Sequence, residues 1–278
     1  MSRTPDAGLL GVGCVGRQIV IRVATAEARA ATAVAFAALL EGPRPNPLAR
    51  LTLRRGPRGY VVGGGHEPDA VDGSLADALR SLRHQVTLHL MAARPDLLWL
   101  HAAGAARDGR AVLIAGLGGS GKSTLATCLA ARGFSYLGDD VIPLDPETGV
   151  LHPFPVTPTV RPDPGRLLPP EAVRALPRAE VRLDPIRIAH APVPVGLVVF
   201  PAYEPGATRT WPWPPAQTAL EILRHCLDFA RHRERAVRAV CALVSTWPAV
   251  GLRFDDADRA AELVARAHAD AAGRAAAG

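Results

Sequence analysis

The chain has 278 residues, of which 48% are hydrophobic, and a formal net charge of +6; that length suits one large core or two smaller ones. Its basic charge is almost all arginine, Lys122 being the sole lysine, and no basic cluster is interleaved with aromatics on one face, which argues against a nucleic-acid partner. No stretch reaches ~18 uncharged apolar residues, which excludes a membrane-spanning helix.

The opening MSRTPDAGLL lacks the apolar region of a signal peptide. Cys14, Cys128, Cys226 and Cys241 have neither metal-ligand nor CxxC spacing and read as small buried residues of a reducing compartment. A cytoplasmic chain is expected. The nearest basic cluster, Arg231 to Arg238, alternates with acid and apolar residues as a surface helix does.

In chain order, GRQIVIRVA (Gly16 to Ala24) reads as a strand, and an alanine-rich helix follows from about Thr25 to Leu40. The segment from Leu48 to Gly65 alternates in period two around Gly56-Pro57, which predicts a hairpin. Leu75, Leu79, Leu82 and Val86 recur at helical spacing, so a second helix runs from about Ser74 to Ala93. Residues 1–95 form an accessory α/β domain with no chemical motif of its own. From Leu97, LLWLHAAGAAR and RAVLIAG are strands joined by Asp108-Gly109, a type I′ turn dipeptide. A helix is predicted from Lys122 to Ala131, capped by Gly133. FSYLGDDVIPLD is again extended. The proline-rich Pro153 to Pro194 reads as irregular and long enough to serve as a lid or substrate loop. Val195 to Phe200 is a buried strand. Helices over about Pro215 to Arg231 and Arg233 to Thr246, a strand GLRF and a terminal helix from about Asp256 complete the chain, with a fraying tail.

The spacing Gly116-Leu117-Gly118-Gly119-Ser120-Gly121-Lys122-Ser123 satisfies GxxxxGK[ST], and an apolar strand precedes it while a helix follows. Glycines there let backbone amides turn inward as an anion nest at the helix N-terminus. A compact ammonium reaches β- and γ-phosphates where a planar guanidinium fits poorly, which explains why an arginine-using chain keeps one lysine at this place. Asp139-Asp140, seventeen residues beyond Lys122, are the carboxylates such a loop needs beside Mg²⁺. One would hold the metal with Ser123, and the other would take the proton of an attacking hydroxyl. Counting outward from the Asp108-Gly109 turn places His101 opposite Gly116, where an imidazole meets a phosphate or the incoming nucleophile.

LHAAGAARDGRAVLIAGLGGSGKSTLATCLAARGFSYLGDD resembles the catalytic domain of HPr kinase/phosphorylase and its kinase-like relatives, a family that shares its fold with phosphoenolpyruvate carboxykinase. The resemblance is strong from Leu97 to about Pro146 and looser beyond. In that family a histidine stands at the position of His101 and an aspartate pair at Asp139 and Asp140, serving Mg²⁺ binding and activation of the acceptor hydroxyl. It implies ATP-dependent phosphorylation, most typically of a serine on a protein or peptide; some relatives act on natural-product precursor peptides. Three features depart from the family. Thr124 stands where glutamate usually follows the loop serine. The Glu-x-Arg-Gly signature of the reverse phosphorylase reaction is missing, and FPVTPTVRPDPGRLL lies in its region, with Arg161 as candidate phosphate or acceptor contact. The first 95 residues do not resemble that enzyme's N-terminal domain.

The expected fold is α/β: a phosphate-loop, carboxykinase-like mixed sheet with helices over 96–278, preceded by the small accessory domain. The expected ATP contacts are Gly116, Leu117, Gly118, Gly119, Ser120, Gly121, Lys122, Ser123 and Thr124. Mg²⁺ ligands are Ser123, Asp139 and Asp140; catalytic groups are His101, Lys122, Asp139 and Asp140. The competing readings are a small-molecule kinase on the same scaffold and a regulatory protein that binds ATP without transferring phosphate. The sequence leaves room for a homo-oligomer.

Overall fold

The computed structural model describes residues 8–66, 70–158, 175–176, 180–181 and 187–277. The chain divides into two compact units, Met1–Pro95 and Asp96–Gly278.

The first unit is a six-stranded sheet with two helices. Its strands are β1 (Gly8–Cys14), β2 (Arg17–Val23), β3 (Leu40–Glu41), β4 (Ala49–Gly56), β5 (Gly59–Gly63) and β6 (Ala70–Asp72), in the order β3-β1-β2-β4-β5-β6. β1 goes beyond the sequence expectation. It pairs with β2 through a turn at Val15-Gly16, both at positive φ, and a valine there hides the turn from a search for Asn-Gly or Asp-Gly. α1 (Ala26–Ala35) is capped by Thr25 and stops short of the expected Leu40, a single 3₁₀ turn covering Ala37–Leu39. α2 (Leu75–Ala93) starts in a full capping box between Ser74 and Asp77. Of the stripe that its spacing predicts it buries Leu79, Leu82 and Val86 and leaves Leu75 partly exposed, and it buries Leu90 as well.

The second unit comprises β7 (Leu98–Leu100), β8 (Ala102–Arg107), β9 (Arg110–Ala115), α3 (Lys122–Ala131), β10 (Ser135–Gly138), β11 (Ile142–Leu144), β12 (Val150–Leu151), β13 (Ala175–Leu176), β14 (Glu180–Val181), β15 (Val193–Tyr203), β16 (Arg209–Pro212), α4 (Pro215–Arg224), α5 (Phe229–His232), α6 (Glu234–Thr246), β17 (Ala249–Phe254) and α7 (Ala257–Ala277). Its main layer runs β10-β8-β9-β15-β17-β16. β9, β15 and β17 are parallel, and β8, β10 and β16 extend the sheet in antiparallel pairings.

Alternation along the central strands sends side chains to two cores. Ala103, Ala105, Val112 and Ile114 join Leu125 and Leu129 of α3 and Ala260, Ala261 and Val264 of α7. Ala102, Ala106, Ala111 and Leu113 join Ile222 of α4 and Ala236, Val240 and Leu243 of α6 on the other face. A sheet covered on both faces explains why β9 and the first part of β15 read as continuous apolar runs.

Several expectations need correction. LLWLHAAGAAR is not one strand: it bends at His101, so that β7 pairs with β11 while β8 pairs with β9 and β10. The helix expected over Pro215 to Arg231 ends at Arg224, and α5 is a separate turn. α7 continues to Ala277 where a frayed tail was expected. Cys14, Cys128 and Cys226 are buried, burial pushing each thiol up to about 12. Cys241 is exposed, because α6 buries Ala236, Val240 and Leu243 and turns Cys241 outward. Arg161 and most of the proline-rich segment lie outside the described residues. Among the described residues no helix is long and apolar enough to cross a membrane.

Candidate functional site

Strand β9 ends at Ala115 and α3 begins at Lys122, so residues 116–121 turn the chain from sheet into helix. Gly116, Gly119 and Gly121 do this at φ of 147°, 81° and 97°, conformations that strain any residue with a Cβ. Gly121 is doubly constrained: a Cβ there would meet Cζ of Phe254, the last residue of β17, at 2.4 Å. Leu117 stands 74% exposed. Ser120 Oγ is buried with no hydrogen-bond partner among the described residues. Ser123 and Thr124 follow on the first turn of α3. Such a loop at a helix N-terminus has the amides and the dipole to hold an anion.

Lys122 is only 6% exposed. Its ammonium donates to the carbonyls of Gly116 at 2.7 Å and Leu117 at 3.1 Å, and lies 3.2 Å from His101 Nε2. An ammonium has donors only, so Nε2 accepts and the imidazole proton sits on Nδ1. That Nδ1–H donates to the Asp140 carbonyl at 2.8 Å, with Asp140 Oδ1 at 3.2 Å. Burial holds the lysine below its ordinary pKa, while the charges of Asp140 and Asp139 oppose that shift.

Two backbone breaks create this meeting. The chain bends at His101 between β7 and β8. Its neighbour on the sheet bulges between Tyr136 and Gly138 in β10, then crosses Asp139-Asp140 to β11. The hairpin register runs from Arg107↔Arg110 to Ala102↔Ala115; one further step brings His101 level with Gly116. Asp140 itself takes a left-handed conformation, φ 71°, which aspartate tolerates better than most residues.

The adjacent carboxylates have opposite surroundings. Asp139 is buried and accepts a hydrogen bond from Tyr136 Oη at 2.9 Å. The Asp140 side chain is 79% exposed. Among the described residues no three His, Cys, Asp or Glu side chains form a ready metal centre. Ser123, Asp139 and Asp140 are all hard oxygen donors, the set that suits Mg²⁺ sharing its sphere with phosphates and water.

One residue at this site was missed from the sequence. His225 follows α4, and its carbonyl accepts the His101 backbone N–H at 2.7 Å. Leu100 and Cys226 form an antiparallel bridge, and the Leu227 N–H donates to the Trp99 carbonyl at 2.7 Å. Residues 225–227 thus zip onto β7 and set the two histidine rings 6.1 Å apart. No sequence signal marks His225, since a helix read through to Arg231 conceals the break on which it sits.

No protein-family model matches the chain, and no curated protein matches it. Among solved structures it is similar to the Hpr(Ser) kinase/phosphatase from Coxiella burnetii, at 16% sequence identity and a TM-score of 0.34, over 61% of this chain and 95% of that one. So slight a likeness carries no weight for function.

Proposed function

We propose that the Asp96–Gly278 unit is a Mg-ATP-dependent phosphotransferase that moves the γ-phosphate of ATP to a hydroxyl, with a serine of a protein or peptide as the acceptor. The observation that supports this most is the chain of contacts from Lys122 through His101 to Asp140 at the glycine loop. A passive anion nest needs the amides and the lysine. It has no use for an exposed carboxylate oriented by a histidine that in turn touches the lysine.

In this reading the amides of residues 116–124 bind the phosphates. The Lys122 ammonium exchanges its two loop carbonyls for β- and γ-phosphate oxygens and neutralises charge there. Asp140, reachable from solvent, accepts the acceptor proton as the new O–P bond forms and the bond to the ADP oxygen breaks. His101 positions Asp140 through Nδ1–H. Mg²⁺, held by Ser123 and Asp139, would supply further charge neutralisation between the phosphates.

The test is transfer of label from ATP in a cell lysate, with phosphorylated products located by mass spectrometry, beside binding of ATP by calorimetry. Lys122→Ala is expected to lower turnover by about 10²–10³-fold or more. Asp140→Asn keeps a residue that accepts left-handed backbone and is expected to bind ATP while losing transfer by about 10²–10⁴-fold. A phosphorylated small molecule would move the acceptor class. Slow hydrolysis without any phosphorylated product would make the protein an ATP-binding regulator, and ATP consumption indifferent to both substitutions would remove the chemistry from this site.

A further inference from the structure

His225 plays no part in the scheme above, yet it stands inside the site. In the antiparallel pairing of residues 225–227 with β7, Leu100 is bridged to Cys226 and the His101 N–H donates to the His225 carbonyl. His101 and His225 are therefore cross-strand neighbours, and such neighbours project to the same face. The rings lie 6.1 Å apart, inclined at 52°, too far for a direct hydrogen bond. His225 Nε2 is buried and has no partner among the described residues, and a buried orphan nitrogen calls for an explanation. The charged and titratable groups that act on it are Lys122, His101, Glu221 and Arg224, and burial together with Lys122 holds its pKa below the usual histidine value. The ring thus sits within the field of the loop ammonium, beside the imidazole that touches it. An anion arriving at that ammonium would reverse the field and give Nε2 a partner.

We propose that His225 contacts the terminal phosphate of the bound nucleotide, so that it and His101 flank the γ-phosphate and make the site prefer a nucleoside triphosphate to a diphosphate. This rests on the nucleotide-site reading above and adds to it a residue and a basis for discrimination. Lys122 and the loop amides serve both nucleotides through the β-phosphate. His225 stands beside His101, whose Nε2 lies 3.2 Å from the ammonium, and in this proposal only the longer phosphate chain reaches it.

The experiment is calorimetric titration of the full chain, with Mg²⁺, using the non-hydrolysable β,γ-imido analogue of ATP and ADP. Wild type, His225→Phe and His225→Gln are compared, each checked by its thermal midpoint. Wild type is expected to bind the triphosphate about tenfold more tightly than ADP, the scale of one charge-assisted hydrogen bond. His225→Phe keeps the ring and removes Nε2; the ratio is expected to fall several-fold, through the triphosphate alone, while the γ-phosphate contacts of Lys122 and His101 remain. His225→Gln retains a side-chain N–H and is expected to keep part of the preference. Histidine ring resonances of the ¹⁵N-labelled wild type supply an arm that needs no folded variant: one ring beyond that of His101 should shift with the triphosphate and stay still with ADP. A wild type that binds neither nucleotide overturns both the site reading and this one. A wild type without preference, an unchanged ratio in His225→Phe, or ring resonances indifferent to the third phosphate overturns this inference and leaves the site reading intact.

Discussion

The glycine loop depends on single atoms. At Gly121 two constraints coincide: φ of 97°, and an edge of Phe254 that a Cβ would approach to 2.4 Å. The contact is with a ring seated in the core, Phe254 being 1% exposed, so neither partner gives way cheaply. Gly121→Ala is therefore expected to destabilise the Asp96–Gly278 unit by about 1–3 kcal/mol. It should abolish nucleotide binding, because the first turn of α3 and the Lys122 stem must move with it. Gly118→Ala is the control. Its φ is not in the left-handed range and a Cβ there would meet open space, so it should keep both stability and binding. Urea unfolding and calorimetry on the pair read both effects, and a Gly121→Ala protein that still binds ATP as the wild type does would show that the loop's shape does not govern the site.

At the scale of elements, the placement of the candidate site residues was legible wherever local chemistry decides structure. The GxxxxGK[ST] spacing places Lys122 at the start of α3, and Asp108-Gly109, both at positive φ, fixes a hairpin register that carries His101 to the level of Gly116. What stayed hidden was non-local. The bend at His101 comes from a strand shared between β11 on one side and β9 and β10 on the other. The break after Arg224 comes from residues 225–228 pairing with β7, and no periodicity within a helix announces either. That break is held by Asp228. One carboxylate oxygen accepts the Trp99 N–H at 3.1 Å and a bond from Cys226 Sγ at 3.3 Å, and the other lies 3.0 Å from His232 Nε2 in a buried pair. Removing it would take one hydrogen bond from the Trp99 amide and the carboxylate partner from a buried imidazole together. Asp228→Ala is expected to cost about 1–3 kcal/mol for each buried group that loses this partner and to free the turn that carries His225. Asp228→Asn, which still accepts from Trp99, should cost less. The reading is a shift in the urea midpoint followed by tryptophan emission; equal midpoints for wild type and the alanine variant would contradict a structural role for this cluster.

At the scale of the whole molecule, the two units can be followed separately in one sample. All four tryptophans, Trp99, Trp211, Trp213 and Trp247, belong to Asp96–Gly278, so their emission reports that unit alone, whereas far-ultraviolet dichroism reports both. Each unit carries imidazoles held below the ordinary histidine pKa of 6.5, chiefly by burial: His89 in the first, His225 and His268 in the second. Burial favours the neutral ring, so near and below pH 6.5 the unfolded chain binds more protons than the folded one. Stability therefore rises with pH there. The contribution is complete above pH 6.5 and is lost as pH falls through the depressed values. His268 is the most deeply placed, 2% exposed, its ring edge-on to Phe134 at 5.4 Å and its Nε2 3.2 Å from the Arg110 carbonyl. In His268→Gln an amide N–H can replace the bond to Arg110 without a titrating ring. The tryptophan-detected thermal midpoint of the wild type is expected to fall between pH 7 and pH 5, and that of His268→Gln to fall less. Dichroism should show the first unit, which keeps His89, losing stability over the same range in both proteins. A wild-type tryptophan midpoint flat from pH 7 to pH 5, or a slope that His268→Gln leaves unchanged, would mean that the buried ring at 268 does not set the acid limit of the second unit.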